Sequence, residues 1–264
     1  MVKKVFSYIL LALVMLFVYT PIFVLVLFSF TDTPAIGQWN GFSFDLYRKL
    51  FEDERIMKIV RDTVFLAGGC SILSTILGTL GSIGIFYSKK RTAKIMNAVN
   101  NIPVVNAEIV TALSLALLFA MVFTFFNKTM FSLVIGHIVI TAPFVILSVM
   151  PRLKQMDPNV YEAALDLGAS PAKALFTVVL PEILPGMLSG FMLSVTLSLD
   201  DYIVTAFTKP EMFNTISTYV YNAVKVPVHS ALPGLRALST LIFVVIVVIA
   251  VLMNVLKKKE VKSK

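Results

Sequence analysis

Charge is scarce in this chain. Only 14% of its 264 residues are charged against 58% hydrophobic, well short of the roughly 25% charge of a soluble globular domain. The shortage excludes an ordinary water-soluble enzyme and makes lipid the solvent for most of the chain. Cysteine is nearly absent: Cys70 has no second cysteine to pair with, so an internal disulfide framework and a cysteine metal cluster are both excluded, and its place in an apolar run assigns it to helix packing. The two histidines, His137 and His229, lie far apart and outside any H-E-x-x-H pattern, so they are read as structural or solvated and no metal site is expected. There is no G-x-x-x-x-G-K-[ST] loop, nor a single Gly-Lys pair, which excludes a phosphate-loop nucleotide site in this chain.

What the sequence has in plenty is long apolar runs. Hydrocarbon offers no partner to backbone polar groups, so a spanning segment must be a helix or part of a closed barrel, and runs this long fit helices. Six stretches reach the roughly 20 residues that a core about 30 Å thick requires: 8–30, 63–87, 102–126, 131–150, 183–207 and 235–256. The expected fold class is therefore all-α, a polytopic membrane protein with six transmembrane helices in one domain over residues 1–264. The first run exceeds the roughly 7–15 apolar residues of a cleavable signal and is expected to remain as a span. Asn100, Asn101, Pro103 and Asn106 dilute the start of the third run, and only a short turn at Asn127 and Lys128 separates it from the fourth.

The net charge of +8 sits in short basic clusters that flank apolar runs, the distribution of a topology signal and not of a nucleic-acid surface. Lys3 and Lys4, then Lys89, Lys90, Arg91 and Lys94, then Arg152, Lys154 and Lys173, and finally the lysines of 257–264 fall on one side. On the other, Arg48, Lys49, Arg55, Lys58 and Arg61 are offset by six acids within 31–62, with Lys128, Lys209, Lys225 and Arg236 elsewhere. Both termini are expected in the cytoplasm. The 31–62 segment opens with Pro34, Gly37 and Gly41 and then places Leu46, Leu50, Phe51 and Ile56 at near-helical spacing. Either it lies on the outer membrane surface or meets an external partner, or it is a solvated connector. Trp39 and Tyr47 in it serve as interfacial anchors or as contacts to such a partner. Gly78, Gly81 and Gly84, and the pair Gly186 and Gly190, suit close approach of helix backbones.

The stretch between the fourth and fifth runs is punctuated as two short helices. Asp157 caps a helix whose first position is Pro158, and Gly168 supplies the left-handed residue that ends it. Ser170 and Pro171 repeat the start signal for a second helix, expected to close at Pro181. Over these residues, 157–181, the chain resembles a family: Glu162, Ala163, Ala164, Gly168, Val178, Leu180 and Pro181 match the spaced EAA signature of ABC (ATP-binding-cassette) importer permeases, with Val178 where the family usually has isoleucine. The resemblance implies a type I importer permease in a bacterial inner membrane, whose 157–181 elbow is the coupling helix seated in a groove of a cytoplasmic ATPase subunit. It also implies that ATP and magnesium belong to that partner and that this chain holds no cofactor and is no enzyme.

Three acids fall inside the expected spans: Glu108 in the third, and Asp200 and Asp201 in the fifth, with no lysine or arginine in either segment. An acid at a helix centre costs about 2.5–3.5 kcal/mol on translocon scales, so it usually faces a water-filled path or a partner, and an acidic path suits a cationic solute. At about 1.5 Å per residue, Asp200 lies about 24 Å beyond Leu184, which sets it towards the outer side and Glu108 nearer the cytoplasmic half. Two levels of charge would hand a polycation inward, with Tyr202 and Phe207 adding cation–π contact. The alternatives stay open: a helix end at the wet interface for the Asp pair, a protonated or hydrogen-bonded packing residue for Glu108.

LSVTLSLDDYIVTAF in the fifth run and TPIFVLVLFSF in the first look like the second membrane subunit of the spermidine/putrescine permeases, over most of the chain. That resemblance implies a heterodimer with a sister permease, two ATPase subunits, and an extracytoplasmic polyamine-binding protein. A permease for another small solute and a scaffold or sensor that transports nothing are the competing readings. The two halves show no internal repeat of the kind found in secondary transporters.

Overall fold

The computed structural model describes residues 2–33, 39, 41–225 and 232–262. Pro34, Gly37 and His229 lie outside them. The described residues form helices and turns with no strand, as lipid solvation requires. They run as α1 (Val2–Ser29), α2 (Asp45–Glu52), α3 (Glu54–Phe86), α4 (Lys90–Val105), α5 (Glu108–Met121), a 3-10 turn (Thr124–Phe126), α6 (Met130–Gln155), α7 (Pro158–Asp166), α8 (Pro171–Ala174), a π turn (Leu175–Val179), α9 (Leu180–Asp200), α10 (Ile203–Thr208), α11 (Ile216–Lys225) and α12 (Leu232–Lys262).

Among the described residues, four helices are long and apolar enough to cross a membrane: Phe6–Ser29, Glu54–Phe86, Met130–Gln155 and Pro171–Asp200. The third expected span is not one rod. Lys90–Val105 and Glu108–Met121 meet at 105° across Asn106 and Ala107, because α4 carries the basic and amide residues that resist lipid while the apolar run begins only at Glu108. Counting that bent pair gives five, and the apolar part of the last helix among the described residues, Gly234–Val248, is shorter. The expectation of six continuous spans is therefore not reached among the described residues. The second span also starts earlier than expected, at Glu54, which shortens the outer segment.

The chain divides into two compact units. In the first (Met1–Lys58 and Val220–Val248), α2 turns Leu46 and Leu50 inward at 3% and 2% exposure. Of the four residues at helical spacing, Leu46, Leu50 and Ile56 are buried and Phe51 is exposed. Phe30 stacks on Phe42 at 5.3 Å and meets Phe44 edge-on at 5.7 Å, while Tyr47 hydrogen-bonds Ser29 at 2.7 Å. Trp39 is exposed, edge-on to Phe28. Arg236 is buried: its guanidinium donates to the carbonyls of Phe28, in the last turn of α1, where helix carbonyls lack intrahelical partners, and of Thr33 just beyond it.

The second unit (Ile59–Tyr219 and Ile249–Lys264) is organised on α6, which packs along α9 and also against α4 and α10. In lipid, burial of apolar side chains adds little driving force, so close contact and interhelical hydrogen bonds hold such a pair. A Cβ on Gly186 would sit 3.0 Å from the Ser148 carbonyl, and one on Gly190 would sit 3.1 Å from the Val145 Cα, so both glycines mark backbone crossings of α6 and α9. Gly78 likewise lies against Val145, whereas Gly84 faces open space. Cys70 is buried beside Leu66 and Leu133. Ser74 and Thr141 share a hydrogen bond of 2.7 Å between α3 and α6.

Candidate functional site

Two places carry the residues the sequence singles out. The first is the elbow. The Asp157 carboxylate accepts the Asn159 N–H at 2.9 Å, with Pro158 opening α7, and the Ser170 hydroxyl accepts the Lys173 N–H at 3.3 Å, with Pro171 opening α8. Gly168 takes φ +84, and the Ala169 N–H reaches back to the Ala164 carbonyl at 3.1 Å, closing α7 as the spacing predicts. The second helix does not close at Pro181, however. Pro171–Asp200 runs on without interruption, because the π turn intervenes: the Leu180 N–H bonds the Leu175 carbonyl, one residue farther back than in an α-helix. Pro181 follows directly and, lacking an N–H, donates to no carbonyl of the preceding turn.

Glu162, Ala163, Gly168 and Pro181 are exposed, and Ala164, Val178 and Leu180 are half-buried. Leu167, at 90% exposure, stands at the tip. The elbow is not loose beneath this surface. Val145, Val149, Leu153 and Met156 of α6 and its end cluster with Val179 and Ile183, and Tyr161 and Leu175 pack against them. Tyr161 also meets Tyr87 at 5.5 Å.

The second place is the break between α9 and α10. The expected fifth span stops at Asp200, turns through Asp201 and Tyr202, and resumes at Ile203. Asp200 is exposed, Tyr202 is half-buried, and Asp201 is turned inward with its side chain wholly buried. The Asp201 carboxylate caps α10: Oδ1 accepts the Val204 N–H at 3.2 Å, and Oδ2 accepts the Thr205 N–H at 2.8 Å and the Thr205 hydroxyl at 2.6 Å. Its backbone carbonyl accepts the Ser217 hydroxyl at 2.6 Å.

Glu108 is the exposed first residue of α5, near enough to Asp201 and Asp200 for their charges to act on it. The two expected levels of charge are thus one level. Reckoning depth along a straight third span fails because of the bend at Asn106. Glu108, Asp200 and Asp201 converge where the end of α9 meets the beginnings of α10 and α5, and α5 packs against α10.

A residue that sequence reasoning set aside completes this place. His137 on α6 is fully buried, with Nδ1 2.7 Å from the Ser198 hydroxyl and Nε2 3.0 Å from the Thr205 hydroxyl and 3.7 Å from Asp201 Oδ2. Its neighbour Gly136 allows the approach, since a Cβ there would lie 2.7 Å from Val204 Cγ1. Farther along, the Ser132 hydroxyl donates to the Thr208 carbonyl at 2.9 Å, so α10 runs beside the first turns of α6. Small and hydroxyl-bearing residues on three helices are the sequence signal for this junction.

The family model described as binding-protein-dependent transport system inner membrane component matches residues 74–260, which include the elbow and all three acids. The chain belongs to this family. Its members are inner-membrane components, in agreement with the apolar helices. Among curated relatives, the putrescine transport system permease protein PotI of Escherichia coli (strain K12) is 31% identical over 86% of this chain and 81% of its own length. The spermidine/putrescine transport system permease protein PotC of Haemophilus influenzae is 31% identical over 92% of this chain and 93% of its own. The fold is shared with a chain in the crystal structure of a bacterial alginate ABC transporter in complex with an alginate-bound periplasmic protein, with a TM-score of 0.71 at 18% identity over 97% of this chain and 94% of that one.

Proposed function

We propose that this chain is a permease subunit of an ATP-driven importer of polyamines. It forms half of the translocation path beside a sister permease, receives solute from an extracytoplasmic binding protein, and takes its motion from two cytoplasmic ATPase subunits that hold ATP and magnesium. Both termini lie in the cytoplasm, which puts the elbow on the ATPase side, and the whole chain serves as one permease domain. The relatives named for putrescine and spermidine transport support the solute class. The observation that carries the reading is the convergence of Glu108, Asp200 and Asp201 at one helix junction, in segments without lysine or arginine.

The three carboxyls have different tasks. Asp201 is committed to the cap of α10, so it anchors the junction and is not itself offered to solute. Glu108 and Asp200 are exposed and present the negative charge that a chain of methylenes and ammonium groups requires. Tyr202 at the same break adds a ring for cation–π contact. At the other end, the exposed elbow seats on the ATPase and moves as a lever that rocks the helices between inward-open and outward-open states.

The test is uptake of labelled spermidine and putrescine by proteoliposomes holding the whole complex with its binding protein. Asp200→Asn and Glu108→Gln each keep the shape and remove a charge. Each is expected to lower uptake at limiting solute by roughly tenfold, about 1.4 kcal/mol, with assembly intact. Wild-type uptake by both variants would refute the role of the acids.

A further inference from the structure

The buried imidazole of His137 ties the α9–α10 junction to α6, the helix whose far end leads into the elbow. α6 begins beside α10 and ends at Gln155, with only Met156 and Asp157 between it and the elbow helix α7. His137 lies seven residues, roughly 10 Å, from the start of α6. One ring on this helix therefore reaches Ser198 in the last turn of α9 and Thr205 and Asp201 at the start of α10.

The hydrogen bonds have a fixed direction. Thr205 has one hydroxyl proton and gives it to Asp201 Oδ2 at 2.6 Å, so its oxygen can only accept from the ring. That assigns a proton to Nε2, and in the neutral ring it leaves Nδ1 as acceptor and Ser198 as the donor to it. The order runs Ser198 hydroxyl to Nδ1, Nε2–H to Thr205, and Thr205 hydroxyl to the Asp201 carboxylate. Both ring nitrogens are thus used, and each bond joins α6 to a different side of the break. Hydroxyls in lipid also bond carbonyls of their own helix, as Thr141 does with the His137 carbonyl at 2.7 Å, and such bonds transmit nothing. The His137 bonds cross between helices.

We infer that His137 is a positioning residue that latches the α9–α10 junction to α6, so that displacement of the elbow at the far end of α6 reaches the acids as a rigid movement. This rests on the transport reading for its purpose, but its test does not need the solute. In a Cys70→Ala background, Ala206→Cys places a thiol on the exposed face of α10. Its maleimide labelling rate is measured in the assembled complex, without nucleotide and with ATP plus vanadate.

The nucleotide-dependent change in rate is expected with His137 present and is expected to shrink at least about fivefold in His137→Leu, the lower end of coupling between linked sites. His137→Gln, which keeps one donor and one acceptor, is expected to restore part of it. A residue that only supports the fold would change stability and leave this difference in place. If His137→Leu does not assemble, Ser198→Ala decides, because it removes only the Nδ1 partner. A nucleotide response equal to that of the parent, in assembled His137→Leu or in Ser198→Ala, overturns the latch. Loss of the response in these variants, in a complex that takes up neither spermidine nor putrescine, would uphold the latch and refute the polyamine reading alone.

Discussion

The elbow after α6 and the junction between α9 and α10 both interrupt a run of helix with an aspartate cap, and they differ in what else holds the turn. At the elbow every bond that sets the turn is local: Asp157 to Asn159, Ala169 to Ala164, Ser170 to Lys173. Its signature residues face outward or half outward. At the junction the local cap of Asp201 on Val204 and Thr205 is joined by groups from elsewhere, the buried His137 from 61 and 68 positions away and the half-buried Ser217 from 16. A turn built from local bonds keeps its shape while its surroundings change, which suits a part that docks on a separate protein. A turn tied by distant bonds as well keeps its shape only while the four helices that carry them, α6, α9, α10 and α11, hold station together, which suits a part that must follow them.

The largest effect is expected of Asp201→Ala. Two backbone N–H groups and a hydroxyl would lose a buried carboxylate, at about 3 kcal/mol or more. Loss of assembled complex on size-exclusion chromatography and a lower Tm are expected, where Asp200→Asn shows neither. Next in size is Gly168→Val. No atom would crowd its Cβ, so the cost is confined to backbone at φ +84, about 1–2 kcal/mol or somewhat more for a branched side chain. The complex should assemble while uptake per ATP hydrolysed collapses, and unaltered coupling would show that the elbow's angle is immaterial. Smallest are Asp157→Ala and Ser170→Ala, each about 1 kcal/mol of helix stability. Faster backbone amide exchange limited to α7 or α8 is expected, with the α9–α10 junction unchanged.

The same contrast governs what could be read from the sequence. The elbow's caps, prolines and left-handed glycine were legible because each signal lies within a few residues of the group it satisfies. Its continuation through Pro181 was not, since nothing short-range announces a π turn. The long apolar rods 8–30, 63–87 and 131–150 were legible from length alone, and Gly186 and Gly190 from their four-residue step. The third span misled because apolar content was counted across Asn106, where amides, Pro103 and an acid at a helix start together make a corner. That single corner carried Glu108 from an expected second level of charge to the level of Asp201. His137 was read as structural or solvated and is structural, but its partners Ser198 and Thr205, 61 and 68 positions away on other helices, leave no short-range signal.

The wider turn at Leu175–Val179 also sets an angular phase. Inward-facing positions fall at Ala174, then Val179, then Ile183, a step of five followed by a step of four. One residue more than an α-helix needs has been taken up there, equivalent to about 100° of rotation about the axis. The elbow is therefore clocked relative to the membrane part of the same helix. Whatever surface Glu162, Ala163 and Leu167 offer below, its compass bearing is fixed by one surplus residue just inside the helix that leads to the acids.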